Sequence, residues 1–400
     1  MAGSCTQDYG SATLFPATSV DKLTPADRAV AFDHEDEVAM PSYYSVFLKG
    51  SGIRAELTGK SRSAVFRFTY PDGDPAYLIV NPNSDEGRGF VELDTLRREI
   101  RVCNPIHRIY QGWGQPTGSC GYFILSYEDE IEDFGTYRDG KGAAGEIRSD
   151  SAAGIGIYVK FKRSGKPVVV RAASSFTGFE GARLNMESEI PKFDFDGTRS
   201  DLSAIWEKHL GKLRVSSDDH ILCRKFYGSL YRTSFLPRTI NDVDGSYPKF
   251  SSGTPVLKTN YDHYDDFSMW DTYRALHPLL VLLEPERDGV MMQSLVDKYV
   301  EGGWLPVFPC WNSYTAAMIG DHCTAAIGDA IVKGVDNFDV ATAYEGMRKN
   351  AFEVPQDYHE YVDGKGRRAL KSYLEYGYIP LEDQVREAFH TCEQRYVRQE

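Results

Sequence analysis

Apolar and polar residues alternate along the first half of the chain and recur every three to four positions along the second. Ile53, Ala55 and Leu57 alternate with Arg54, Glu56 and Thr58, and Phe66, Phe68 and Tyr70 alternate with Arg67 and Thr69. Ala76 to Val80 is a short continuous apolar run. Further on, Ile155, Ile157, Val159 and Phe161 share one face, and Val168-Val169-Val170 follow a Gly165-Lys166-Pro167 turn. Pro71-Asp72-Gly73-Asp74 and Asn81-Pro82-Asn83 punctuate these runs. Successive side chains on a strand point to opposite faces, so a period of two broken by Gly, Pro, Asn and Asp predicts an antiparallel β-sandwich.

The period changes near Asp194–Asp201. Leu202, Ile205, Trp206, His209 and Leu213 predict a linking helix that starts at Asp201. Beyond residue 218 the spacing is helical throughout: Leu222, Phe226, Leu230 and Ser234; Val290, Leu295, Tyr299 and Val300; Ala316, Ile319, Cys323, Ile327 and Ala330. Val385, Ala388 and Phe389 predict a last helix opened by Pro380, whose missing N–H costs nothing in a first turn. The expected organisation is a sandwich domain over 1–196, a linker helix over 197–217 and a helical domain over 218–400. Strands followed by helices make this an α+β multidomain chain.

Charge and composition narrow the function classes. The chain has 58 Asp+Glu against 45 Lys+Arg and a net charge of −13, the reverse of the basic footprint that nucleic acid requires. No apolar run reaches the roughly 18 residues of a membrane span. The seven cysteines show no CxxC or zinc-type spacing, which argues against structural zinc and a disulfide framework and leaves room for a single bridge. The N-terminus has neither a basic nor an apolar region of the signal-peptide kind. The 25 tyrosines suit a sugar-binding or protein-binding surface, and equally a large Tyr-rich β-domain. No GxSxG, P-loop or HExxH is present, and Gly112, Gly114 and Gly118 precede no βαβ pattern.

Three segments concentrate Trp, Asp, Arg and His. In Asp265–Pro278, Ser268 is a candidate N-cap, Trp270 and Arg274 fall on one helix face, and Asp271 and Arg274 are spaced to pair. A carboxylate beside an indole can accept from two adjacent sugar hydroxyls; the same spacing also makes a local ion pair over a packed Trp. In Glu301–Pro306, two glycines before Trp304 predict a helix end with close backbone approach, the Trp being either a sugar platform or a buried anchor. In Met318–His322, Asp321 and His322 are read inside a small-residue helix, where a polar pair needs partners. Trp113 is a loop aromatic or a core anchor, and the acidic run Asp33–Glu37 reads as a solvated face. The residues alone support a soluble two-domain protein with carbohydrate-active features.

The ordered segments resemble family 92 of the glycoside hydrolases, the calcium-dependent exo-acting α-mannosidases. They run from Asp8-Tyr9-Gly10 through Tyr43-Tyr44, Ala55-Glu56-Leu57-Thr58, Ser175-Phe176, Ala182-Arg183-Leu184-Asn185, Phe226-Tyr227 and Leu230-Tyr231-Arg232-Thr233. Phe267 to Arg274, Gly302 to Pro306, Met318 to His322 and Tyr376-Gly377-Tyr378-Ile379-Pro380 continue the series. The resemblance implies a β-sandwich joined to an (α/α)6 barrel, Ca2+ dependence, and inverting hydrolysis of terminal α-linked mannose on glycans. Trp270, Asp271 and Arg274 would line the pocket for the terminal mannose. Trp304, Asp321 and His322 would lie in or behind it, and Cys5 and Asp8 would sit on the leaving-group side. Family members are often secreted or periplasmic, and a cytosolic location stays open.

The departures from the family pattern set further expectations. The chain starts just inside the family's sandwich. After Ala388-Phe389 it runs into Arg395–Glu400 where the family continues with a long helix. The general-acid Glu, the Asn-Glu calcium ligands and the Asn-Asp-Asp segment with the general base have no counterpart. The resemblance therefore implies an internal fragment with an incomplete barrel, no catalytic carboxylate, no metal ligand and no turnover of its own. The alternative is a non-catalytic carbohydrate-binding or interaction protein.

Overall fold

The computed structural model describes residues 10–84, 87–107, 116–315, 318, 320–357, 360–361 and 364–381. Cys5, Asp8, Trp113 and the helix expected after Pro380 lie outside the described residues. The chain forms two compact units, Met1–Ile106 with Cys120–Tyr231 and His107–Ser119 with Arg232–Glu400.

The first unit is the antiparallel sandwich. One sheet has five strands in the order β1 (Ala12–Ala17), β6 (Ala76–Pro82), β13 (Ile155–Phe161), β10 (Ile131–Arg138) and β11 (Lys141–Ala144). The other has nine: β12 (Arg148–Asp150), β7 (Phe90–Asp94), β8 (Glu99–His107), β9 (Pro116–Tyr127), β14 (Val168–Ser175), β5 (Ser63–Thr69), β4 (Ile53–Gly59), β3 (Tyr43–Leu48) and β2 (Val38–Met40). Leu78, Val80, Ile157, Val159 and Phe161 of the first sheet meet Ile53, Phe68, Val91, Val102, Leu125 and Val170 of the second in one buried core. These are the inward residues of the alternating runs, and antiparallel pairing fixes their register, with Val80 opposite both Leu14 and Ile157. Both edges of the larger sheet are three-residue strands, and all of β2 is exposed.

The larger sheet is covered on its outer face as well. Helix α1 (Phe179–Glu189) sets Ala182 and Met186 on Ile124 and Ala173. Helix α2 (Phe195–Leu210) begins six residues before the linker helix read from Asp201, because the Asp194 side chain accepts from the Gly197 N–H and satisfies a first-turn donor. Its first residue, Phe195, lies under the Arg67 guanidinium at 4.2 Å. Arg67 also donates twice to the buried Glu56 at 2.7 Å, and Glu56 accepts from the Tyr43 hydroxyl at 2.7 Å. Glu56 and Thr58, from the polar half of the Ile53–Thr58 alternation, are thus buried rather than solvated. Helix α3 (His220–Arg232) buries Leu230 and leaves Ile221 and Leu222 exposed.

The second unit is helical in its later part only. Residues 233–268 hold two small ribbons, β15 (Arg238–Thr239) with β18 (Tyr264–Asp265) and β16 (Ser246–Pro248) with β17 (Val256–Lys258). The helical domain expected from residue 218 does not extend through this stretch, whose prolines and tight turns exclude helix. Gly245, at φ 87°, would place a Cβ 1.8 Å from the Thr259 carbonyl oxygen, so the turn admits glycine alone. Helices α4 (Met269–Thr272), α5 (Leu276–Leu283), α6 (Pro285–Gly302), α7 (His322–Val332), α8 (Val340–Phe352) and α9 (Leu370–Tyr376) follow. Met291, Met292, Leu295 and Val296 of α6 form the centre of the core, against Leu280 of α5, Ala326 and Ile327 of α7 and Ala343 of α8. Among the described residues, no helix is long and apolar enough to cross a membrane.

Candidate functional site

The segment leading into α4 is held from beneath by consecutive carboxylates. Asp265 is fully buried; its Oδ2 accepts the Asn312 N–H at 2.7 Å and its Oδ1 lies 3.3 Å from the buried Lys298 Nζ. Asp266 accepts the Trp311 N–H at 3.1 Å and Arg238 Nε at 2.9 Å. Trp311 and Asn312 are both left-handed, at φ 56° and 53°, as are Asp266 at 58° and Ser268 at 47°. Each such conformation costs of order 1–3 kcal/mol and persists only where its surroundings enforce it. Here the two carboxylates and the Asn312 amide, which donates to the Pro248 and Lys249 carbonyls, supply that enforcement.

Phe267, Met269 and Thr272 are buried, which turns the intervening residues outward. Trp270 keeps 39% exposure, and Asp271 and Arg274 are exposed. The Arg274 guanidinium lies 4.6 Å from the Trp270 ring centre and 5.1 Å from that of Tyr273, and donates to the Trp270 carbonyl at 2.9 Å. Tyr273 stacks on His322 with centroids 4.2 Å apart. Trp270, Arg274, Tyr273 and His322 thus form a continuous ring–cation–ring stack beside the Asp271 carboxylate.

Several local expectations change. Ser268 does not cap α4 through its side chain; its hydroxyl donates to Asp271 Oδ2 at 2.7 Å. Asp271 and Arg274 form no ion pair among the described residues, because α4 ends at Thr272 and the helical i,i+3 geometry does not extend to Arg274. Asp321 and His322 stand at the start of a helix rather than in its interior. Gly320, at φ 121°, interrupts the apolar spacing and α7 starts at His322, with Asp321 immediately before it accepting from Asn350 Nδ2 at 3.3 Å.

Trp304 is buried with Phe250 and Tyr314, and Lys349 Nζ lies 4.4 Å from its ring centre. The Tyr314 hydroxyl accepts the Trp304 N–H and donates to the Trp304 carbonyl. The preceding glycines have separate reasons. Gly303 closes α6 in a left-handed cap, and a Cβ on Gly302 would lie 2.3 Å from the Tyr314 hydroxyl oxygen.

Arg238, Lys298 and the buried His263 lie outside the three segments that the sequence singles out, whereas Asp266 lies within the first. A charged residue within the apolar spacing of α6 was the available signal for Lys298. His263 stacks on Tyr247 at 4.0 Å and lies 3.3 Å from Asp297. Burial, reinforced by Lys298, depresses it from 6.5 to about 4. The unfolded chain therefore takes up a proton near pH 6.5 that the folded chain refuses until about pH 4. Stability is fully present above pH 6.5 and falls by roughly 3 kcal/mol towards pH 4. Urea midpoints measured at pH 7 and 4.5 should show the loss, and His263→Gln should flatten that part of the profile.

Among the described residues, no group of three His, Cys, Asp or Glu side chains is placed to hold a metal ion. Residues 1–175 match the glycosyl hydrolase family 92 N-terminal domain, and residues 181–397 match the family 92 catalytic domain. The chain is similar to an inverting family 92 mannosidase from Bacteroides thetaiotaomicron, with 27% identity and a TM-score of 0.83 over 94% of this chain and 49% of that one. A family 92 α-mannosidase from the same organism gives 28% identity and 0.83 over 96% and 52%. Its complex with mannoimidazole gives 28% and 0.82 over 96% and 50%. The chain spans about half the length of these solved relatives. No curated protein matches the sequence.

Proposed function

The chain belongs to glycosyl hydrolase family 92, and on that premise we propose that it carries the sandwich and the leading helical part of an α-mannosidase acting on terminal α-linked mannose with inversion. The observation that carries this reading is the outward-facing ridge of Trp270, Asp271 and Arg274. The Asp271 carboxylate accepts from adjacent sugar hydroxyls, and the Trp270 indole offers an apolar surface to the sugar's C–H face. Arg274 fixes the indole, Tyr273 and His322 back it, and Asp321 anchors the start of α7 to Asn350. Trp304, being buried, supports the α6 terminus. The solved relative that binds mannoimidazole supports mannose as the ligand class.

Inversion requires one carboxylic acid to protonate the leaving oxygen and one carboxylate to activate water, roughly 6.5–9.5 Å apart. This reading assigns both, together with the calcium ligands, to the part of the relatives that the chain does not span. The 400-residue chain then recognises a terminal mannose without cleaving it. Proton NMR of α-linked mannobiose incubated with the purified chain and Ca2+ tests this. No mannose should appear, whereas a complete family 92 α-mannosidase under the same conditions should release mannose first as the β-anomer. Cleavage by the 400-residue chain would overturn the division of roles. Mannose binding by the chain that a sugar of another class displaces equally well would count against the mannosidase reading and favour a general carbohydrate-binding protein.

A further inference from the structure

Cys103 on β8 and Cys120 on β9 belong to neighbouring strands of the nine-stranded sheet. The Tyr127 N–H donates to the Arg98 carbonyl at 3.3 Å. Gly10 packs so closely on the same strand pair that a Cβ there would lie 2.2 Å from the Asn104 carbonyl oxygen and 2.7 Å from the Gly121 nitrogen. Both contacts fit one antiparallel register, with Cys103 opposite Tyr122 and Cys120 its diagonal neighbour on the same face. Val102 and Leu125, one residue out of phase, point into the sandwich core, so the cysteines occupy the outer face. Phe90 lies opposite Cys103 on β7, and Phe90 and Tyr122 both pack against Phe179. The two side chains lie close enough for each to shift the other's titration.

We infer that Cys103 and Cys120 form a reversible dithiol–disulfide pair that exchanges with small-molecule disulfides. Cys120 is the attacking sulfur. It is partly exposed, and its interaction with Cys103 holds it down to about 7 against the opposing effect of burial. That same interaction, followed by burial, pushes Cys103 up. The Cys120 thiolate attacks one sulfur of oxidised glutathione and expels a glutathione thiolate, leaving a mixed disulfide. Cys103 then loses its proton, attacks the Cys120 sulfur and expels the second glutathione. The protein gives up two electrons and two protons, and one glutathione disulfide becomes two thiols. Cys310 and Cys323 differ: both are buried, and burial pushes their thiols well above the ordinary range.

The test is intact-mass analysis and peptide mapping of the full chain after incubation with oxidised glutathione. The expected product has lost two hydrogen atoms and gives a peptide linking Cys103 to Cys120, which excess dithiothreitol reverses. Cys103→Ser should instead retain one glutathione on Cys120. In the unmodified chain, Cys120 should be alkylated by iodoacetamide ahead of the other cysteines, with a pH midpoint near 7. A persistent glutathione adduct on wild-type Cys120, a cross-link to any other cysteine, or a midpoint at the ordinary thiol value would overturn the inference. The wild-type mapping decides the question even if the serine variant fails to fold.

Discussion

Lys298→Met should destabilise the second unit by about 3–5 kcal/mol, because removing one partner strands a buried charge. Lys298 and Asp265 are both fully buried, and the ammonium also donates to the Tyr264 carbonyl at 2.8 Å. Methionine keeps most of the stem's volume, so lost packing contributes little. The loss is comparable to the whole net stability of a small domain, about 5–15 kcal/mol, and expression at 37 °C should suffer. Adding Asp265→Asn should recover part of it, since a neutral amide no longer needs the ammonium and its oxygen can still accept from Asn312. Urea unfolding followed by Trp fluorescence reports on this unit through the buried Trp304 and Trp311. A change below about 1 kcal/mol would show that the pair is not holding the segment.

Asp271→Ala, placed in a complete family 92 enzyme, should lower kcat/KM by about 10²-fold or more, roughly 3 kcal/mol of transition-state binding. Within this chain, Asp271 is exposed and its side chain accepts a hydrogen bond from Ser268. Its removal should leave stability within about 0.5 kcal/mol, because it supports no buried group. The paired measurement separates binding from folding: activity falls while the melting temperature holds. A loss below tenfold would count against a substrate role for this carboxylate.

The sandwich was readable because strand sequences carry their burial directly. Ile157, Val159 and Phe161 face the core at every second position, and turns mark each reversal. Residues 233–268 were not readable as ribbons, because their short strands offer no periodic face. Their conformation is fixed instead by Pro237, Gly245, Gly253 and Pro255 and by side-chain hydrogen bonds from distant segments such as Asn312. The site was readable in its outward half. Trp270 and Arg274 do meet at four-residue spacing, though through one helical turn and a loop. The supporting half was hidden, since pairing Asp265 with Lys298 spans 33 residues of sequence and two elements. His322 was placed mid-helix because the small-residue pattern runs past Gly320, whose positive φ marks the actual start of α7.

The three-residue edges of the nine-stranded sheet bear on self-association. An unpaired edge is a template on which a second chain can add a strand, and longer flat edges recruit more strongly. β2 exposes Val38 and Met40, an apolar pair that would otherwise invite such docking. It offers the backbone groups of only three residues, and the acidic run Asp33, Glu35, Asp36 and Glu37 immediately precedes it. Asp33 is tied to Lys49 and Glu37 to the Tyr44 hydroxyl, so this charge is anchored beside the edge. A copy adding its β2 in parallel would bring its own acidic run against this one and meet like charge before it could pair. The acidic stretch thus works against growth of the nine-stranded sheet by a parallel strand at β2.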